Sequence, residues 1–240
     1  ELFPFSEEQG IRFNNKSVEQ RPLDETEWSD FNYVFFAGDV THAAHMAKAA
    51  QSGCVVIDLK GVCASLNDVP LIVPSINDEQ LVVLQRNIVS LPDPQVTQFV
   101  FSVSQFAREN TLSQVLVTSL LPASYIDSDT VNKLAGQTAQ LLNGIPLDEE
   151  QQRLAFDVFP SPKSTASLTA QVEKIFPQLS NVIFHQVHVP VFYGMAQMVM
   201  LRSEYEFDTQ AQLQAWQANE LVDYREASAL TPVTNGETEA

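Results

Sequence analysis

YVFFAGDVTHAAHMAKAAQSGCVVID, residues 33–58, is the stretch that decides the fold. Tyr33–Ala37 is a short apolar run that reads as a buried strand, and Gly38 ends it. Thr41 fits the N-cap of a helix carrying Ala43, Ala44, Met46, Ala47, Ala49 and Ala50. Gly53 stands where a C-cap glycine belongs. Cys54–Asp58 (CVVID) is a second buried strand. Strand, helix and strand within this compass form a βαβ unit, and two fully apolar strands joined this way favour a parallel sheet.

Working outward, Pro70–Pro74 (PLIVP) and Asn87–Leu91 (NIVSL) are further short apolar runs. Asp93-Pro94 then opens a helix, because Asp caps free N–H groups and Pro suits the first turn. Val96, Phe99, Val100, Val103, Phe106 and Ala107 form its apolar stripe, which runs to about Arg108. Gln114–Ser119 returns as a strand. To this point the pattern is α/β, with a sheet covered on both faces.

The remainder reads as α+β. A helix opens at Asp127 or Ser128, buries Val131, Leu134, Leu141 and their neighbours, and closes at Asn143-Gly144. A brief strand at Phe156–Phe159, a polar loop at Ser161–Ser167 and a short helix at Ala170–Phe176 follow. Val182–Tyr193 and Ala196–Tyr205 then read as two long neighbouring strands parted by Gly194. The tail Thr231–Ala240 is polar and expected to be loose.

Thirteen basic residues against thirty acidic ones give a net charge of −17. That balance argues against nucleic acid, whose binding needs clustered Lys and Arg, and against an anionic membrane surface. Apolar stretches of only four to six residues are too short to span a bilayer. Two cysteines, Cys54 and Cys63, offer no disulfide framework, so a reduced cytoplasmic protein is expected. Val187, Val189, Val191, Phe192 and Met198 put apolar side chains on both faces of the last strands, which predicts a homodimer.

Candidate chemical groups are few. Cys63 follows the CVVID strand at the end where α/β sites gather, yet only Lys60 is near to lower its pKa, and it reads as a small loop or buried cysteine. Cys54 reads as core. His42 and His45 share a helical turn but have no supporting ligand at helical spacing, so a solvated face is expected. His185 and His188, three apart on a strand, should face opposite ways. Met195, Met198 and Met200 fit sheet or interface packing. No metal site is expected.

Four blocks carry a resemblance: VVIDLKGVCASLNDVPLIVPSIN (55–77), LAGQTAQLLNGIPLDEE (134–150), LAFDVFP (154–160) and QVHVPVFYGMAQMV (186–199). Together they resemble the aspartate-semialdehyde dehydrogenase family, and within it the Usg-like branch. The resemblance implies a partial Rossmann-like NAD(P)-binding domain over 1–92 and an α+β dimerisation and substrate domain over 93–240. The family's Gly-rich phosphate loop and C-terminal helix have no match in these residues, which suggests a portion of a longer chain. Ala37 and Gly38 match the family turn beside the nucleotide. The 240 residues alone therefore imply no bound cofactor, and a chain with both ends would allow NADP.

The family reduces an acyl phosphate with NADPH, using a cysteine nucleophile, a histidine, a glutamine and substrate-binding arginines. Residue by residue, this implies that Pro94 stands at the nucleophile position, Leu121 at the glutamine and Met195 at the histidine. Ala64 takes one arginine position and His188 another, while Leu59, Lys60 and Gly61 replace an Asn-Ser-Ser stretch. Loss of a nucleophile alone can cost on the order of a millionfold in turnover. The expectation is a catalytically inactive, dimeric homologue acting as a binding or scaffold protein. Two alternatives stand beside it: an active NADP-dependent enzyme of amino-acid biosynthesis with a rearranged site, and a nucleotide or small-molecule sensor.

Overall fold

Asn14 and Asn15, both at positive φ, join a small hairpin of β1 (Arg12–Phe13) and β2 (Lys16–Ser17). Paired left-handed residues give the turn twist that two-residue hairpins favour, and Asn tolerates it. The first sheet follows: β3 (Tyr33–Phe36), helix α1 (Ala43–Gln51), β4 (Val55–Asp58) and β5 (Ile88–Ser90). Its strands are all parallel, in the order β3-β4-β5. The computed structural model describes residue 2 and residues 12–18, 20–206, 208–226 and 231. It divides into a unit of Glu1–Asp93 and a unit of Pro94–Ala240. The tail expected to be loose lies, beyond Thr231, outside the described residues.

Packing in the first unit follows the apolar pattern. Phe36, Val56 and Ile88 point to one face, where Met46, Ala49 and Ala50 of α1 meet them beside Trp28 and Cys54. Gly53 has φ +97 and closes the helix as expected. The N-terminal cap differs. Asp39, not Thr41, caps a 3₁₀ turn at Val40–His42 by accepting the Thr41 N–H, and α1 starts only at Ala43. A carboxylate two residues earlier is the stronger acceptor for those amides.

Two other expectations need correction. The sheet is not covered on both faces, since Tyr33 and Phe35 are 66% and 69% exposed. The PLIVP run is not a strand either: Leu71 makes one parallel bridge to Ser90, and the flanking prolines stop the ladder. Asn77 serves its backbone instead, with Oδ1 accepting from the Val73 N–H and Nδ2 donating to the Leu71 carbonyl.

The second unit begins with α2 (Pro94–Glu109), then β6 (Leu112–Leu121) and α3 (Ser128–Leu142). Asp127 caps α3 by accepting the Thr130 N–H. Next come β7 (Phe159–Pro160), α4 (Ala166–Ile175), β8 (Val182–His188), β9 (Ala196–Ser203) and α5 (Thr209–Ala218). The sheet order is β7-β8-β6-β9. Strand β6 therefore lies between β8 and β9, parallel to the first and antiparallel to the second. The two last long strands, expected as neighbours, are each paired to β6 instead.

Both are also shorter than expected. Strand β8 stops at His188, short of Pro190, which has no N–H to give. Strand β7 is confined to Phe159–Pro160, because Phe156 turns the chain at φ 58. Helix α4 starts four residues before Ala170, inside the expected loop. One face of the sheet is packed: Val115, Val117, Leu121, Val182 and Phe184 are buried, as are Val96, Phe99, Val100 and Val103 of α2. Phe99 meets Phe184 edge-on at 5.8 Å. Among the described residues no helix is long and apolar enough to cross a membrane.

Candidate functional site

In the first unit, Asp58 ends β4 fully buried and organises the turn that follows. Its Oδ2 accepts the Cys63 N–H at 2.7 Å and the Ser90 hydroxyl at 2.8 Å, and Oδ1 accepts the Lys60 N–H at 3.2 Å. A buried carboxylate is tolerable only with such partners. Gly61 adopts φ +68, and a Cβ there would lie 3.1 Å from the Leu91 carbonyl oxygen. The turn thus has one shape, which a side chain at 61 would disturb. Cys63, a sequence candidate, is held inside it and is 6% exposed.

That turn forms one wall of a cleft of about 460 Å³ at the carboxyl ends of β3 and β4. Lys60 and Val62 line this wall, and Ala37, Gly38, Asp39 and His42 line the other. Asp39 Oδ1 accepts from the Thr41 N–H at 2.9 Å and from its hydroxyl, and lies 3.0 Å from His42 Nδ1. The Thr41 hydroxyl, followed by its amide, holds the Asp39 carboxyl below the ordinary carboxylate range. So His42 belongs to the 3₁₀ turn with a carboxylate beside it, whereas His45 is on exposed α1.

In the second unit, Leu121 and His188 are direct partners in the β6–β8 register. Both line a cavity of only about 10 Å³, with Ala123, Leu134, Leu154 and Phe159 around them. That is room for one water at most. His188 stacks on Phe159 at 5.0 Å, and burial, with Lys163 adding to it, lowers its pKa. His185 is exposed on the opposite face, as the strand period requires. Pro94 is the first residue of α2 and exposed, and Met195 sits half-buried just before β9, after Gly194 at φ +84.

A polar cluster near the start of α2 escaped the sequence reading. Gln95, fully buried, donates from Nε2 to the Tyr125 hydroxyl at 2.7 Å. Gln197 Nε2 donates both to the Gln95 carbonyl and to Ser119 Oγ, each at 3.0 Å. These are neutral amides and hydroxyls, with neither a strong base nor a nucleophile among them. The largest hollow, an open groove of about 870 Å³ beside Gln114, Asn181 and Arg202, lies at the other end of β6 from Leu121. Neither cysteine forms a disulfide, and Cys54 Sγ donates to the Trp28 carbonyl while burial raises its pKa. Among the described residues no three His, Cys, Asp or Glu side chains converge as a metal site would require.

A parallel sheet with a cleft at its strand ends, followed by a mixed-sheet α+β unit, is the architecture of a nucleotide-dependent dehydrogenase fold. Residues 4–83 match the family described as "Semialdehyde dehydrogenase, NAD binding domain". The USG-1 protein homolog of Haemophilus influenzae is 57% identical over 240 residues, covering 100% of this chain and 73% of that protein. Aspartate-semialdehyde dehydrogenase 2 of Vibrio cholerae is 30% identical over 219 residues, 85% of this chain and 65% of the enzyme. The crystal structure of aspartate semialdehyde dehydrogenase II from Vibrio cholerae, complexed with ASA, superposes with a TM-score of 0.87 at 27% identity. That match covers 96% of this chain and 74% of the enzyme. The chain belongs to the aspartate-semialdehyde dehydrogenase family, in its Usg-like branch.

Proposed function

We propose that the chain is a catalytically inactive member of this family that acts, as a homodimer, in binding or scaffolding. The observation that carries the reading is the meeting of Leu121 and His188, at the family's glutamine and arginine positions, around a cavity of about 10 Å³. An acyl phosphate needs polar groups and space, and a closed apolar pocket offers neither. Pro94 and Met195, at the nucleophile and histidine positions, can neither attack an acyl carbon nor carry a proton. Ala64 is buried where a guanidinium would be needed. Incubation with aspartate semialdehyde, phosphate and NADP is expected to give no turnover above background. Robust activity abolished by mutating Cys63 would overturn the reading.

The homodimer is supported by the open face of the second sheet. Register aligns Ile183, Leu116 and Met200 in one row, His185, Thr118 and Met198 in the next, and Val187, Leu120 and Ala196 in a third. Ile183, Met198 and Met200 are 47%, 61% and 51% exposed. A largely apolar face of this kind suits a two-fold partner carrying the same rows. Sedimentation equilibrium at micromolar protein tests it, and a monomer there sinks it.

A second reading, a nucleotide or small-molecule sensor, is favoured by the cleft of the first unit. It falls within the stretch that matches the NAD-binding domain, and Ala37 and Gly38 leave its wall without bulky side chains. In that reading NADP lies against Ala37 and Gly38, and the protein supplies binding without hydride transfer. Thermal shift with nicotinamide and adenine nucleotides tests it, with a flat response counting against it. A reduced cytoplasmic location accords with two cysteines that form no disulfide.

A further inference from the structure

We propose that the cleft of the first unit binds a compact anionic group of the phosphate type through Lys60, with Asp58 as the residue that positions that lysine. The proposal rests on reading this cleft as a ligand site. It assigns the recognition to a residue that replaces a neutral family position.

Three observations support it. First, the turn carrying Lys60 is rigid. Asp58 is fully buried and accepts three hydrogen bonds, from Lys60, Cys63 and Ser90. Gly61 then presses against the Leu91 carbonyl at a backbone angle that side chains rarely adopt. A lysine on such a turn loses less freedom when it binds than one on a mobile loop.

Second, the acid in the cleft is already engaged. Asp39 Oδ1 is held by the Thr41 amide, the Thr41 hydroxyl and the neighbouring His42 ring. No ion pair joins Asp39 to Lys60, and among the described residues the Lys60 ammonium pairs with no carboxylate. Third, the chain as a whole has 30 acidic residues to 13 basic ones. In such a chain a lysine facing a cleft without an acidic partner is a local reversal of charge. An ammonium in a concave site meets an anion with less solvent screening than on open surface. The class of ligand is therefore a phosphate or pyrophosphate, free or as part of a nucleotide.

Inorganic pyrophosphate is the probe, titrated calorimetrically into the full chain at low salt beside a parallel titration with NADP. Binding that weakens as salt rises is expected. Lys60→Met should weaken pyrophosphate by about tenfold or more, as loss of one charge-assisted hydrogen bond does, while Lys60→Arg retains most of it. Asp58→Asn should weaken it as well, but add little further in a Lys60→Met background, because both act through one contact. A merely structural Asp58 would instead give additive losses. Absence of pyrophosphate binding, or unchanged affinity in Lys60→Met, overturns the proposal. If NADP still binds while pyrophosphate does not, the anion assignment falls and the cleft survives as a ligand site. If neither binds, both fall. Should Asp58→Asn fail to fold, the exposed Lys60 variants alone decide the matter.

Discussion

Leu121→Gln restores the polar side chain of the family at that position, and the structure predicts that the second unit will not tolerate it. Leu121 is 1% exposed on β6, packed beside His188 with space for about one water. Removing its burial forfeits about 1.5–3 kcal/mol. Placing an amide there without a full set of partners adds about 1–3 kcal/mol, toward the low end if the His188 ring takes one hydrogen bond. The sum is roughly 3–5 kcal/mol, or on the order of 10 °C in Tm for a protein of this size. Trp216 reports on the second unit, since its Nε1 donates to the Ser102 carbonyl and its ring meets Phe106 and Tyr224. Urea unfolding followed at Trp216, in a Trp28→Phe background, isolates that unit. The midpoint should drop with an unchanged slope. A loss under about 1 kcal/mol would refute the reasoning, because the pocket would then be a polar site in waiting.

Other outcomes follow from named contacts. The folded His188 has a pKa below its ordinary value, through burial and then Lys163, so the unfolded chain binds its proton more readily. Stability from this residue is present above about pH 6.5 and is lost as pH falls toward the folded pKa; His188→Leu should flatten that slope in urea midpoints taken across the window. Gly61→Ala meets both a left-handed backbone and the Leu91 carbonyl, and should destabilise the first unit by about 1–3 kcal/mol, read from Trp28 in a Trp216→Phe background. Ile183→Asp puts a charge on the open face of the second sheet, and should shift sedimentation from dimer to monomer without changing far-UV circular dichroism.

The elements with local causes were the legible ones. The βαβ unit at 33–58 combined two apolar runs, an alanine-rich helix and Gly53, and each of those signals acts within a few residues. Pairing across the second sheet was not legible, because β8 and β9 adjoin in sequence yet both choose β6, far upstream. Helix α5 was missed since Leu213 and Trp216 are few apolar residues among glutamines; Asp208, which accepts from Gln210 and Ala211, was its available signal. At the sites, identities could be read by resemblance but closure could not. Nothing local in Leu121 or His188 tells that the two are cross-strand partners. Asp58 also passed unremarked, although an acid ending a run of buried apolar residues has to find partners and so marks an organised turn.

Strand β6 has a consequence for how the chain is made. Parallel pairing to β8 and antiparallel pairing to β9 mean that residues 112–121 wait for residues 182–203 before their backbone groups are matched. At ribosomal speeds of roughly 5–20 residues per second, that strand stays unpaired for several seconds after synthesis. The three strands of the first sheet, by contrast, have all been synthesised by residue 90. During each round of translation the nascent second half thus displays an unmatched, apolar ten-residue ribbon, the segment a chaperone would be expected to grip first.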